Sequence, residues 1–202
     1  MQNIKIFKTK VEVEQLIIEF KKEFKFKSFP YKIIKDETSF SYYFNVANTL
    51  FPAHIYPKFI SLIKSLKEES IFFLTATVQE NDWKEYEKRF VLNQKTKISW
   101  SPAIEVALHD PMDYESFDKI IQYDYGYGYE ESYIFGSSLN WIAHFVPNRD
   151  FMILYFKNSL EFKKSKLYEN YRIETLEQLI EGSPDGFNNN EIKELKENWI
   201  IG

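Results

Sequence analysis

Two strongly apolar runs on either side of a polar turn place the tightest constraint on the fold. Residues 140–146 (NWIAHFV) and 151–157 (FMILYFK) flank the sequence PNRD, and this pattern predicts an antiparallel β-hairpin. Alternate residues of a strand point to opposite faces. One face of the first run therefore carries Trp141, Ala143 and Phe145, and the other carries Ile142, His144 and Val146. Because both faces are mostly apolar, we expect this hairpin to lie at the centre of its sheet.

Helical and strand signals surround the hairpin. Apolar residues recur at helical spacing in residues 8–25, where Thr9 and Glu12 have the spacing of a capping box. A second helix is predicted at 56–70, with Pro57 in its first turn. Further helices are predicted at 81–90, 113–121, 173–182 and 190–200, and further strands at 71–78, 96–100, 103–109 and 132–135.

The order of these elements predicts the fold class. Helices lie at both ends of the chain, and most strands fall between about residues 71 and 157. The chain is therefore predicted to be α+β, with a central, mainly antiparallel sheet and terminal helices packed on it. We expect residues 1–202 to form one domain.

Composition excludes several classes of protein. With 44% hydrophobic and 18% aromatic residues the chain can build a substantial core, and without cysteine it has no disulfides or thiolate metal sites. No run of about 18 apolar residues is present, so no membrane span is predicted. A cytoplasmic protein is the simplest expectation.

Charge is distributed unevenly along a chain whose net charge is −4. Residues 1–35 contain nine lysines and four glutamates, whereas residues 105–131 contain eight acids and a single base, Lys119. The second region would repel nucleic acid and attract a basic protein.

The most unusual stretch is YDYGYGYEES, residues 123–132. Four of the 14 tyrosines and two of the six glycines fall within residues 123–129. Tyrosine is enriched at interface hot spots, and nearby acids steer a basic partner. We therefore predict a partner-binding surface made of Tyr123, Asp124, Tyr125, Tyr127, Tyr129, Glu130 and Glu131, with Asp110, Asp113, Glu115 and Asp118 beside it. The alternative is that these tyrosines cover a sheet face and have a purely structural role.

Enzymatic alternatives have weaker support. The acids at 110–131 could hold a divalent cation for a metal-assisted hydrolase, but the twelve-residue calcium-loop pattern is absent. His54, His109 and His144 lack the spacing of a metal-ligand pair, and His144 is expected to be a core residue. Asp185, Glu191 and Lys193 match a short nuclease-like motif. The same residues are explained by a turn at Asp185 and by the first turn of a helix at Glu191. We expect no catalytic residue, no cofactor and no bound metal, with a structural or regulatory binding domain as a further alternative.

Residues 130–156, EESYIFGSSLNWIAHFVPNRDFMILYF, carry a resemblance to a known group of proteins. Their aromatic-rich strand, small-residue turn, strand bearing Trp141 and apolar return strand resemble the central hairpin of immunity proteins from bacterial polymorphic-toxin and contact-dependent inhibition systems. The resemblance implies a cytosolic protein that binds and blocks one cognate toxin, often a nuclease. It assigns no binding residue by position.

Overall fold

The computed structural model describes residues 4–27, 31–36, 38–46, 52–76, 102–108, 113–118, 130–147, 151–157, 159–165, 167, 173–182 and 187–199. The strands in these ranges are β1 (Ile4–Ile6), β2 (Ser41–Val46), β3 (Ser70–Thr75), β4 (Ala103–Ala107), β5 (Ser132–Gly136), β6 (Trp141–Val146), β7 (Phe151–Phe156) and β8 (Ile173–Glu174). The helices are α1 (Lys10–Phe20), α2 (Tyr56–Ser65), α3 (Tyr114–Asp118), α4 (Ser159–Lys164), α5 (Leu176–Gly182) and α6 (Asn189–Trp199). The helix predicted at 81–90 and the strand predicted at 96–100 lie outside the described residues.

The described strands form one eight-stranded sheet in the order β1-β4-β3-β5-β6-β7-β2-β8. Every neighbouring pair is antiparallel. The predicted α+β class with a central antiparallel sheet is therefore confirmed. Strands β1, β2 and β8 come from outside residues 71–157. They lie at the two edges of the sheet, β1 at one edge and β2 and β8 at the other.

Helices cover both faces of the sheet. The first face packs against α1, α5 and α6, and its core includes Phe20, Tyr133, Ile142, Tyr155 and Trp199. The second face packs against α2, α3 and α4, and its core includes Phe59, Phe73, Phe117, Trp141 and Phe162. All six residues of β6 are buried, so the hairpin is central, as its two apolar faces predicted.

Three of the described helices begin with reciprocal capping contacts. In α1, Glu12 N donates to Thr9 Oγ1 at 3.3 Å and Thr9 N donates to Glu12 Oε2 at 3.0 Å, which confirms the predicted capping box. Thr175 and Gln178 cap α5 in the same manner. At α6, Glu191 Oε2 accepts from Asn188 N at 3.0 Å. Glu191 of the nuclease-like motif therefore has a capping role, whereas Asp185 lies outside the described residues.

A buried carboxylate organises the turn between β5 and β6. Glu68 is 5% exposed and accepts hydrogen bonds from Ser137 Oγ at 3.1 Å, from Ser138 N at 2.8 Å and from Ser138 Oγ. A Cβ atom at Gly136 would overlap this carboxyl group. The sequence Gly136–Ser138 therefore provides both the space and the donors that a buried carboxylate requires.

Replacing Gly136 with alanine tests this arrangement. We expect Gly136→Ala to lower the free energy of unfolding by about 1–3 kcal/mol, because the added methyl group displaces Glu68 from its hydrogen bonds inside the fold. Urea denaturation of Gly136→Ala, Glu68→Ala and the double variant measures the effect. If overlap is the cause, the double variant is about as stable as Glu68→Ala alone. Additive costs of the two changes would contradict this explanation.

Candidate partner-binding site

The structure describes five of the residues predicted to bind a partner. These are Asp113, Glu115 and Asp118 on and beside α3, and Glu130 and Glu131 immediately before β5. The other predicted residues lie outside the described part of the chain: Asp110, Tyr123, Asp124, Tyr125, Tyr127 and Tyr129. The described residues of the predicted site therefore lie on the two sides of the tyrosine-rich segment.

The main chain of Glu130 and Glu131 is attached to the sheet. Ser132 Oγ donates to the Glu130 carbonyl oxygen at 2.8 Å, and Ala76 N donates to the Glu131 carbonyl oxygen at 2.7 Å. All five residues of the following strand, β5, are buried. The C-terminal side of the tyrosine-rich segment thus continues directly into the centre of the fold.

The side chain of Glu131 contacts a fully buried histidine. His144 is 0% exposed, and its Nε2 lies 2.6 Å from Oε1 of Glu131. A carboxylate oxygen accepts hydrogen bonds, so the geometry places a proton on Nε2. Nδ1 of His144 has no hydrogen-bond partner among the described residues. The prediction that His144 is a core residue is confirmed, with a polar partner at one of its two nitrogens.

Tyr133 completes the surroundings of this pair. Its ring centroid lies 4.9 Å from that of His144, and its hydroxyl donates to the carbonyl oxygen of Lys27. Burial, reinforced by the negative charge of Glu131, raises the pKa of Tyr133 well above its usual value. Glu131 therefore belongs to a polar contact at the edge of the first-face core as well as to the predicted surface.

Sequence reasoning missed the contact between Glu131 and His144. The signal was present, because a histidine within an apolar strand needs a polar partner. In the observed register Tyr133 is opposite His144, and Glu131 is two residues before Tyr133 on the same side of the strand. Predicting the contact requires knowing which residues of β5 and β6 lie opposite each other. A hydrophobic pattern alone does not define this register to within one residue.

The acids of α3 differ in their structural roles. Asp113 Oδ1 accepts from Ser116 N at 2.8 Å, and Oδ2 accepts from Ser116 Oγ at 2.9 Å. The hydrogen bonds from the Ser116 backbone and then its side chain lower the pKa of Asp113. Asp113 therefore caps the helix, whereas Glu115 is exposed in its first turn.

Aromatic residues attach α3 to α2. Phe117 is 2% exposed, and its ring centroid lies 4.7 Å from that of Tyr56. Burial and then the charge of Asp113 raise the pKa of Tyr56 to about 12. Burial and then the charge of Asp118 raise the pKa of the half-buried Tyr114. Tyrosine rings beside carboxylates thus occur in the described part of the predicted site.

The described acids fall into two groups. Glu131 contacts His144 beside Tyr133 of the first-face core, whereas α3 packs through Phe117 into the second-face core. Residues 119–129 connect the two groups along the chain and lie outside the described residues. A single partner that contacts both groups must therefore reach both faces of the sheet.

Neither a metal cluster nor a membrane span is found in the described residues. No group of three or more histidine, aspartate or glutamate side chains is arranged to hold a metal ion there. Likewise, none of the helices in these ranges has the length and apolar character needed to cross a bilayer.

Comparison of the chain with protein-family models, curated proteins and solved structures finds no match.

Two substitutions at Glu131 separate its hydrogen bond from its charge. We expect Glu131→Ala to lower the free energy of unfolding by about 1–3 kcal/mol, because the buried Nε2–H of His144 loses its acceptor. Glu131→Gln retains an acceptor oxygen and should cost less than about half as much. Urea denaturation of the two variants makes the comparison. A Glu131→Ala protein as stable as the wild type would show that His144 does not depend on this contact.

Proposed function

We propose that this protein is a non-enzymatic immunity protein that binds and blocks a basic toxin domain in the bacterial cytoplasm. The supporting observation is that two elements anchored in the core flank the segment where the chain concentrates tyrosine. On one side Phe117 anchors α3, and on the other the five buried residues of β5 anchor Glu130 and Glu131. Binding residues are commonly carried on segments that a rigid scaffold positions.

The proposed surface combines two kinds of contact. Tyr123, Tyr125, Tyr127 and Tyr129 supply large ring surfaces that lose little conformational entropy on binding. Carboxylates such as Glu115 and Asp124 pair with lysine or arginine of the partner. A nuclease toxin fits this chemistry, because a cleft that binds phosphate is basic. The resemblance of residues 130–156 to immunity proteins supports the same class of partner.

A metal-assisted hydrolase that uses the acids at 110–131 remains the enzymatic alternative. Such a site needs several carboxylate oxygens around one cation. Among the described acids, Glu131 bonds to His144 on one face of the sheet and Asp113 caps a helix on the other. This separation favours the binding protein over the hydrolase.

The acids of α3 provide the most direct test of electrostatic binding. The test variant carries Asp113→Asn, Glu115→Gln and Asp118→Asn together. Asparagine caps a helix about as well as aspartate, so we expect the fold to be retained. The proposed function requires a toxin gene adjacent to this one. The association rate with the toxin domain that it encodes should fall by about tenfold at low salt. Surface plasmon resonance over a range of salt concentrations measures this rate.

The matched control removes the same number of charges elsewhere. Glu177→Gln, Glu181→Gln and Glu197→Gln neutralise three exposed acids on α5 and α6. We expect this control to change the association rate by less than about threefold. Equal effects of the two triple variants would indicate that only net charge matters. No binding of the wild-type protein to the adjacent toxin domain would refute the proposed function.

A further inference from the structure

One stretch of this acidic chain is strongly basic. Residues 21–35 (KKEFKFKSFPYKIIK) contain six lysines and a single acid, Glu23, whereas the net charge of the chain is −4. The stretch begins where α1 ends, and cations are favourable at the C-terminus of a helix. That effect accounts for Lys21 and Lys22, which directly follow α1, but not for the lysines further along the chain.

The main chain of this stretch is fixed to the first-face core. Phe24 and Ile34 form an antiparallel β-bridge, and both side chains are fully buried. The ring centroid of Phe26 lies 5.4 Å from that of Tyr133, and the hydroxyl of Tyr133 donates to the carbonyl oxygen of Lys27. The exposed lysines between and beside these contacts are therefore carried by a well-anchored backbone.

Three exposed lysines of the stretch have no carboxylate partner among the described residues. They are Lys21, Lys25 and Lys27, here called the lysine patch. The acids closest to them along the chain pair with other lysines. Glu19 contacts Lys22, and the carboxylate of Glu23 lies 2.9 Å from the ammonium of Lys157. Like charges gathered at one place repel one another, and a bound polyanion relieves that repulsion.

The other lysines of the stretch are already engaged. Lys35 Nζ donates to the carbonyl oxygen of Lys21 at the end of α1. Lys32 is 6% exposed, and its ammonium lies 5.5 Å from the ring centroid of Tyr42 and 5.6 Å from that of Trp199. Only the lysine patch therefore presents uncompensated charge on the surface of this stretch.

An exposed aromatic ring borders the patch. Tyr31 is 41% exposed, and the ammonium of Lys27 lies 5.0 Å from its ring centroid. Tyr31 is the one exposed aromatic residue among those whose side chains the structure describes. Proteins that bind single-stranded nucleic acid combine cations for the phosphates with aromatic rings on which the bases stack. An acidic peptide would use the lysines and leave the ring unused.

We propose that the lysine patch and Tyr31 bind single-stranded nucleic acid. The three ammonium groups contact phosphates, and one base stacks on the ring of Tyr31. Lysine is a point charge that lacks the two-pronged geometry with which arginine reads guanine, so binding is independent of sequence. The site uses none of the residues of the proposed immunity surface.

Fluorescence anisotropy with a dye-labelled oligothymidine of about 12 nucleotides tests the proposal. We expect a dissociation constant on the order of 10–100 μM in low-salt buffer, in the range of sequence-independent binding. An oligouridine of the same length should bind within about threefold of this affinity. Because about three phosphates are neutralised, the logarithm of the association constant should fall with the logarithm of salt concentration with a slope of about −2.

Substitutions show whether binding occurs at the patch. Lys21→Gln, Lys25→Gln and Lys27→Gln together should weaken binding by at least about tenfold. The control variant carries Lys64→Gln, Lys163→Gln and Lys196→Gln, which remove three exposed lysines elsewhere, and should change binding by less than about threefold. Tyr31→Ala should weaken binding by about fivefold or more, whereas Tyr31→Phe retains the ring and should change it by less than about twofold.

Four results would overturn the proposal. They are no saturable anisotropy change up to about 500 μM protein, equal weakening by the two triple lysine variants, no effect of Tyr31→Ala, and displacement of the oligonucleotide by polyglutamate or phosphatidylserine vesicles at the same concentration of charge. The second result would indicate diffuse counterion binding. The last two would assign the patch to an acidic protein or an anionic membrane.

Discussion

Burial of the β5–β6–β7 strands from both sides is the constraint on which the rest of the structure depends. Trp141 of β6 packs on Phe59 of α2 at 5.5 Å on the second face, whereas Tyr133 of β5 packs on Phe20 of α1 at 4.9 Å on the first. Each fully buried aromatic side chain contributes about 1.5–3 kcal/mol relative to an exposed one. With both faces covered by helices, the described polar residues that remain inside the fold need partners of their own.

Local patterns in the sequence predicted much of this fold, because they depend on residues that are close along the chain. Thr9 and Glu12 identified the start of α1, and the apolar runs on either side of PNRD identified the hairpin. The pairing of β2 with β7 and of β1 with β4 was not predictable in the same way. Such pairings join segments that are far apart in sequence, and strand order and register depend on tertiary packing.

The candidate site shows the same limit at the level of single residues. Glu115, Asp113 and Glu131 look equivalent in the sequence as acids of one negative region. In the structure Glu115 is exposed, Asp113 caps α3 and Glu131 bonds to a buried histidine. Charge alone therefore does not identify a contact residue. Of these three, Glu115 can be changed with the least effect on the fold.

The accessibility of the tyrosine-rich segment tests the central claim most directly. Hydroxyl-radical footprinting with mass spectrometry measures the labelling of Tyr123, Tyr125, Tyr127 and Tyr129 with and without the toxin domain. Tyr133, which is 0% exposed, and Tyr31, which is 41% exposed, serve as internal standards. We predict that the four rings are labelled like Tyr31 in the free protein and are protected in the complex. Labelling as low as that of Tyr133 in the free protein would contradict this prediction.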